Sequence, residues 1–219
     1  MTAPSGTGNG GPPQVNSLRL LRTLTLAGAI AGFVLVFVYQ ATQPTIQAYK
    51  AEQLRLAIEE VLEAPDRYDT LFVHDGQLTR ELPEGFAADQ LEQVYLGYVD
   101  QQPVGFAVAA EKAGFQDIVR LIFGYDPRSN SLLGMKVLES KETPGLGDKI
   151  VKDTSFVNQF AGLQPQLLGV KRGQGTGSPA EVDMITGATI SSRTVIQIIN
   201  DALERLGPAL QSYGEVANR

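Results

Sequence analysis

Between Leu21 and Ala41 the chain is apolar on every side, and no charged residue occurs from Thr23 to Tyr49. About 20 apolar residues, rising 1.5 Å each, cross a bilayer core as a helix. The pattern therefore predicts a membrane helix over residues 17–43. From Ile46 to Ala64 the period turns amphipathic, with Leu54, Ile58, Val61 and Leu62 on one side and Glu52, Glu59, Glu60 and Glu63 on the other. That predicts a linker helix over residues 44–65, stopped by Pro65, which either carries the span outward or docks on the next domain. Asp66 to Gly85 reads as irregular, with Leu71–Val73 as a short strand. Four runs then carry strand texture: Val94–Tyr98, Val104–Ala110, Ile118–Tyr125 and Leu132–Leu138. The turn signals between them are short, so the strands pair antiparallel. A helix is expected near Asp153, where Phe156 and Phe160 share a face. Last, Val195, Ile198, Ile199, Ala202, Leu203 and Leu206 recur at helical spacing, with Gly207-Pro208 as a stop signal. Residues 1–16 are too polar and too rich in glycine and proline to bury a core, and read as a disordered tail. The expected architecture is α+β: one N-terminal transmembrane helix, then a domain of antiparallel strands and flanking helices over residues 66–219.

Charge gives the apolar run a direction. Arg19 and Arg22 stand before it, which by the positive-inside rule leaves the N-terminus in the cytoplasm and the body of the chain across the membrane, the periplasm of a bacterium with an inner membrane. A cleaved signal peptide is the competing account. It needs a small residue where the bulky Tyr39 stands, so a retained single-pass anchor is favoured.

Composition narrows the chemistry. The 219 residues contain no cysteine and a single histidine, His74, which removes disulfides, thiolate-held iron–sulfur clusters and thiol nucleophiles, and makes a histidine-rich metal site improbable. The net charge is −6, and because the first 40 residues contribute +2, the remainder carries −8. An acidic body offers no basic patch for nucleic acid. No triad can be assembled around His74 and no carboxylate pair shares an evident setting. The Gly173–Gly177 loop lacks the lysine of a P-loop and the Rossmann register, so no nucleotide role follows. Redox work by this chain requires an organic cofactor.

Two stretches remain. Asp183-Met-Ile-Thr-Gly-Ala-Thr-Ile-Ser-Ser192 precedes the last amphipathic segment, which places Thr186 to Ser191 at a helix entrance. Unpaired N–H groups and the helix dipole favour an anion there. The plainer alternative is a Ser or Thr N-cap. Lys141-Glu-Thr-Pro-Gly-Leu-Gly-Asp-Lys149 follows the fourth strand, and Pro144, Gly145 and Gly147 force a tight loop that a flat ligand can approach. An ordinary connecting loop is the alternative.

The first stretch resembles the D-x-x-(S/T)-G-A-T signature of the FMN-binding domain found in the G subunit of Rnf-type ion-translocating electron-transport complexes and in the C subunit of the sodium-translocating NADH:quinone reductase. The second resembles the K-E-T-P-G-L-G-D-K segment of the Rnf-type G subunit. The two occur in the same order, about forty residues apart. The resemblance places the signature on Asp183, Thr186, Gly187, Ala188 and Thr189. It implies FMN joined to Thr189 through a phosphoester by a dedicated flavin transferase; from their place at the helix entrance, Thr186, Ser191 and Ser192 are candidate donors to the phosphate oxygens or, equally, helix caps. On physical grounds the second loop, with Glu142, Thr143, Gly145, Leu146, Gly147 and Lys149, is a candidate wall for the flavin ring, and Lys141 or Lys149 a candidate source of positive charge beside it. The implied role is electron relay within a membrane complex linked to ferredoxin and NAD, other membrane and peripheral subunits being the partners. Alternatives are the FMN-domain subunit of the quinone reductase or of another extracytoplasmic chain and, from a different class, a non-redox membrane-tethered anion-binding module. One departure stands out: Gly114-Phe-Gln-Asp117 occupies the place of the family's Gly-Tyr-Gly-Gly, which leaves a tight backbone approach there open.

Overall fold

The computed structural model describes residues 17–217, so the tail expected over residues 1–16 lies outside the described residues. Two compact units divide the chain, one up to Lys50 and one from Ala51 onward.

The first unit holds most of helix α1, Ser17–Val61, which is long and apolar enough to cross a membrane. The expected span and linker are one helix, with Pro44 inside it. Its end differs from expectation. Helical geometry stops at Val61, before Pro65, because Glu63 and Ala64 turn left-handed (φ 56° and 58°) and the Ala64 N–H donates to the Glu59 carbonyl at 2.7 Å. That closes the helix in the manner of a Schellman motif.

The second unit is built on a six-stranded antiparallel sheet ordered β2-β1-β3-β4-β5-β6, with β1 Arg67–His74, β2 Gln77–Thr79, β3 Gln93–Val99, β4 Gln102–Ala113, β5 Ile118–Asp126 and β6 Ser131–Glu139. The four expected strands are β3 to β6. The region read as irregular contains β1, paired with β3 over six positions from Arg67 opposite Tyr98 to Phe72 opposite Gln93. Its side chains are mostly half-buried, and only Leu71 is fully covered, so its sequence carries little apolar alternation.

Strand alternation sends side chains to two separate cores. On one face Val94, Leu96, Phe106, Val108, Leu121, Phe123 and Tyr125 pack against helix α4, Thr189–Ala217, through Val195, Ile198, Ile199, Ala202 and Leu206. On the other face Tyr95, Ala107 and Ile122 pack against Ala57, Ile58, Val61 and Leu62 from the end of α1. Thus the C-terminal part of the expected linker docks on the domain. Gly97 and Gly124 make room for it: a Cβ on Gly97 would lie 2.7 Å from Leu62 Cδ1, and one on Gly124 would collide with the Val61 carbonyl.

Helix α4 also outruns its expected stop, continuing through Gly207 and Pro208 to Ala217. Proline there removes one intrahelical bond. The extension is held by tertiary packing instead, since Ala209 and Leu210 are buried and Tyr213 meets Phe106 edge-on at 6.3 Å. The helix expected near Asp153 is two short ones, α2 Lys149–Lys152 and α3 Thr154–Val157, followed by a 3-10 turn. Phe156 and Phe160 are buried edge to face at 5.3 Å. Two strands too short to show a sequence period, β7 Leu168–Lys171 and β8 Glu181–Met184, form a separate parallel pair leading into α4.

Candidate functional site

The start of α4 is set by a tight turn. The Ala188 N–H donates to the Ile185 carbonyl at 3.0 Å, with Gly187 at φ 84° in the third position, where a left-handed residue is required and glycine adopts it without strain. The Ser192 hydroxyl locks this turn from inside, accepting from the Ile185 N–H (3.1 Å) and donating to the Ala188 carbonyl (2.9 Å). The residue before Thr189 is alanine, which has no side chain able to cap the helix. The N–H groups of Thr189, Ile190 and Ser191, which a helix cannot satisfy internally, therefore have no side-chain acceptor among the described residues. Thr189 itself is exposed, and so is Thr186.

Glu142 joins three segments beneath this surface. Its carboxylate is buried, 5% exposed. One oxygen accepts from Ser191 Oγ at 2.7 Å, the other from the N–H groups of Phe115 (2.9 Å) and Gln116 (3.1 Å) in the β4–β5 turn. Burial pushes the carboxyl up, but the bonds from Ser191 and from the backbone of Gln116, Phe115 and Asp117 outweigh it and hold Glu142 below its ordinary value. Thr143 adds a second tie, its hydroxyl donating to Gln116 Oε1 at 2.9 Å. Gly114 and Gly147 are where the backbone presses closest: a Cβ on Gly147 would lie 2.6 Å from Glu142 Oε2 and 2.7 Å from Ser191 Oγ, and one on Gly114 would strike the same carboxylate. A tight backbone approach does occur at Gly114, despite the departure from the family run.

The expected site residues thus divide. Thr186, Gly187 and Thr189 lie on the exposed surface at the head of α4, with Ala188 buried just beneath them. Gly145 and Leu146 join the exposed group from the loop, and Leu146 Cδ2 lies 3.9 Å from where a Gly187 Cβ would stand. Glu142 and Ser191, expected to face the cofactor, instead turn their polar atoms toward each other in the interior. A Ser191 hydroxyl spent on a buried carboxylate is not a free phosphate donor. Lys149 is half-buried at the head of α2, and Lys141 leans on Asp117 at 3.5 Å. Asp183 sits in β8, its main chain bracketed by the Gln159 amide (2.8 and 3.3 Å) and its carboxylate accepting from the Gly173 N–H at 3.3 Å. It lines a cavity of about 210 Å³ with Asp153, Arg172 and Gln159.

Of the apolar side chains exposed on the three segments, the sequence singles out Leu146 but neither Phe115 nor Ile190. Phe115, Leu146 and Ile190 are 66%, 50% and 52% exposed. A lone exposed apolar residue is unremarkable, but these three belong to the same three segments that Glu142 ties together. For Phe115 and Ile190 the signal in the sequence is that each neighbours a motif residue. An exposed threonine hydroxyl, three unpaired N–H groups and an apolar flank suit a ligand that is part phosphate and part planar ring.

Residues 114–204 match the FMN-binding domain family. The chain is 31% identical over 193 residues to the G subunit of the ion-translocating oxidoreductase complex of Yersinia pestis, covering 86% of this chain and 90% of that one. This chain belongs to the G-subunit family of ion-translocating oxidoreductase complexes. The protein of the same description from Methanosarcina acetivorans is 28% identical over 190 residues, covering 85% of this chain and 92% of that one. Among solved structures, Shewanella oneidensis NqrC shares the fold with a TM-score of 0.62 at 16% identity, covering 77% of this chain and 99% of that one. The matched FMN-binding region includes every piece of the site above: the β4–β5 turn, the Glu142 loop and the first turns of α4.

Proposed function

We propose that this protein relays electrons within its ion-translocating complex through FMN held by a phosphoester at Thr189, and that the other subunits of the complex donate and accept those electrons. The observation that carries the reading is the exposed Thr189 at a helix start with no capping side chain, on a helix that Glu142 ties to the segments bearing the exposed Phe115 and Leu146. Bound there, FMN supplies a centre that exchanges one or two electrons. The chain's own residues do the rest. The N–H groups of Thr189, Ile190 and Ser191, with the helix dipole, favour the phosphoester charge. The Thr186 hydroxyl adds a donor. Leu146, Phe115 and Ile190 seat an apolar ring face, and the Gly145–Gly147 backbone lets it approach. Lys141 and Lys149 bring positive charge to that side. Glu142 positions all three segments without touching the ring.

The membrane arrangement belongs to the same reading. Residues 17–43 span a bacterial inner membrane once, Arg19 and Arg22 keep the N-terminus cytoplasmic, and the FMN-binding domain, residues 66–219, works on the periplasmic side. A flavin transferase on that side attaches the cofactor, recognising the signature from Asp183 to Thr189. A covalent tether keeps FMN from being lost where the free cofactor is scarce.

Co-production of the full chain with a competent flavin transferase tests the attachment. A denaturing gel under ultraviolet light should show a fluorescent band at the chain's mass that disappears in Thr189→Ala and persists in Thr186→Ala. A band retained by Thr189→Ala would move the attachment elsewhere.

A further inference from the structure

Resting on Thr189 as the attachment point, we propose that Arg193 binds the phosphoester as its counter-ion. Thr189 and Arg193 are one turn apart on α4, and both are exposed, whereas Ser191, Ser192, Thr194 and Val195 between and beside them are buried. Residues four apart on a helix lie on one face, about 6 Å apart along the axis. Helical side chains lean toward the N-terminus and cover the turn before their own Cα. A side chain as long as arginine's at 193 can therefore reach the head of α4, while the next exposed position, Gln197, is a further turn away.

The second observation is that Arg193 has no carboxylate to hold. Among the described arginines of the globular unit, Arg55, Arg67, Arg80, Arg120, Arg128 and Arg205 each lie within ion-pair distance of an Asp or Glu. Arg193 has no such partner among the described residues, and neither has Arg172, which sits instead in the Asp183 cavity. Glu142, the acid tied to the head of α4, is turned inward onto Ser191. An arginine guanidinium is a planar fork whose geometry matches two oxygens of one phosphate. A phosphodiester carries one negative charge on two non-bridging oxygens, so one arginine balances it, and the unpaired N–H groups of the first turn share the work. Arg193 thus completes a phosphate site whose neutral half is backbone.

The test uses the full-length, flavin-loaded protein in detergent and compares wild type with Arg193→Gln, Arg193→Lys and, as a control for general charge loss, Arg172→Gln. Phosphorus-31 NMR reads the phosphoester directly in the loaded fraction, whatever the degree of loading, and time-resolved flavin anisotropy reads the freedom of the tether. Arg193→Gln should shift the phosphorus resonance and add a faster anisotropy component. Arg193→Lys should lie between Gln and wild type, because a point charge keeps the attraction without the fork. Arg172→Gln should match wild type. An unchanged phosphorus resonance in Arg193→Gln overturns the proposal, as does an equal shift in Arg172→Gln. Failure of the attachment itself is a separate result, read by a flavin band surviving in Thr189→Ala.

Discussion

The Ser191 hydroxyl donates to the Glu142 carboxylate at 2.7 Å across 49 residues of sequence, both side chains being buried. This bond fastens the helix bearing Thr189 to the loop that faces it. Glu142→Ala leaves the buried Ser191 hydroxyl without its acceptor, at about 1–3 kcal/mol, and removes the tie to the N–H groups of Phe115 and Gln116, which lie nearer the surface and cost less to release. Chemical denaturation of the full chain in detergent should therefore show a loss of about 1–3 kcal/mol for Glu142→Ala, with Ser191→Ala losing less. Equal stability of Glu142→Ala and wild type would remove the carboxylate from any structural role.

The same carboxylate gives the fold an acid-sensitive element. Its folded value lies below the ordinary 4.5 because the hydrogen bonds it accepts outweigh burial. A depressed carboxylate contributes stability that is fully present above the unfolded value and is lost as pH falls through the folded one. Denaturation midpoints should hold from neutral pH to about 5 and decline below that, with a slope of up to about 1.4 kcal/mol per pH unit from this one group. Glu142→Gln, which cannot titrate, should show a shallower decline than wild type. Superimposable acid limbs would assign the loss to the other depressed carboxylates, Asp148, Asp153 and Glu181 among them.

Gly187 makes a different prediction, because its role is backbone geometry. At φ 84° alanine is strained by roughly 1 kcal/mol or more, and the turn from Ile185 to Ala188 that aims Thr189 is disturbed. Gly187→Ala should lower the fluorescent flavin band at limiting transferase while leaving the unfolding midpoint within a few degrees of wild type.

Gly124 should behave in the opposite way. A Cβ there collides with the Val61 carbonyl and comes within 3.0 Å of Leu133 Cβ, on the sheet face away from α4. Overpacking of this kind costs about 1–3 kcal/mol. Gly124→Ala should lower the unfolding midpoint yet load flavin to the wild-type level when assayed below that midpoint. Loss of loading at full stability would mean that the α1 face communicates with the site.

The strands from β3 to β6 were legible because each alternates cleanly and short turns separate them. Strand β1 was legible only in its second half, as Leu71–Val73: Arg67-Tyr-Asp-Thr hides the rest of the paired strand under polar side chains, most of them half-buried. The run of α4 beyond Pro208 was missed for a related reason, since propensity says stop while burial of Ala209 and Leu210 says continue. At the site, the signature singles out Thr189, and the structure places it exposed at the head of α4. The inward turn of Glu142 and Ser191 was not legible, because neither residue type reveals a partner dozens of positions away, and a carboxylate in a motif reads first as a ligand.

Before it is loaded, the domain leaves Phe115, Leu146 and Ile190 open to water around a helix end whose first amides have nothing to bond. Such a face is adhesive toward other unloaded copies and toward nearby lipid. In the proposed reading, attachment of the flavin does more than install a redox centre: it dries that face and finishes the surface, so chains left unloaded should be the ones that clump and are cleared.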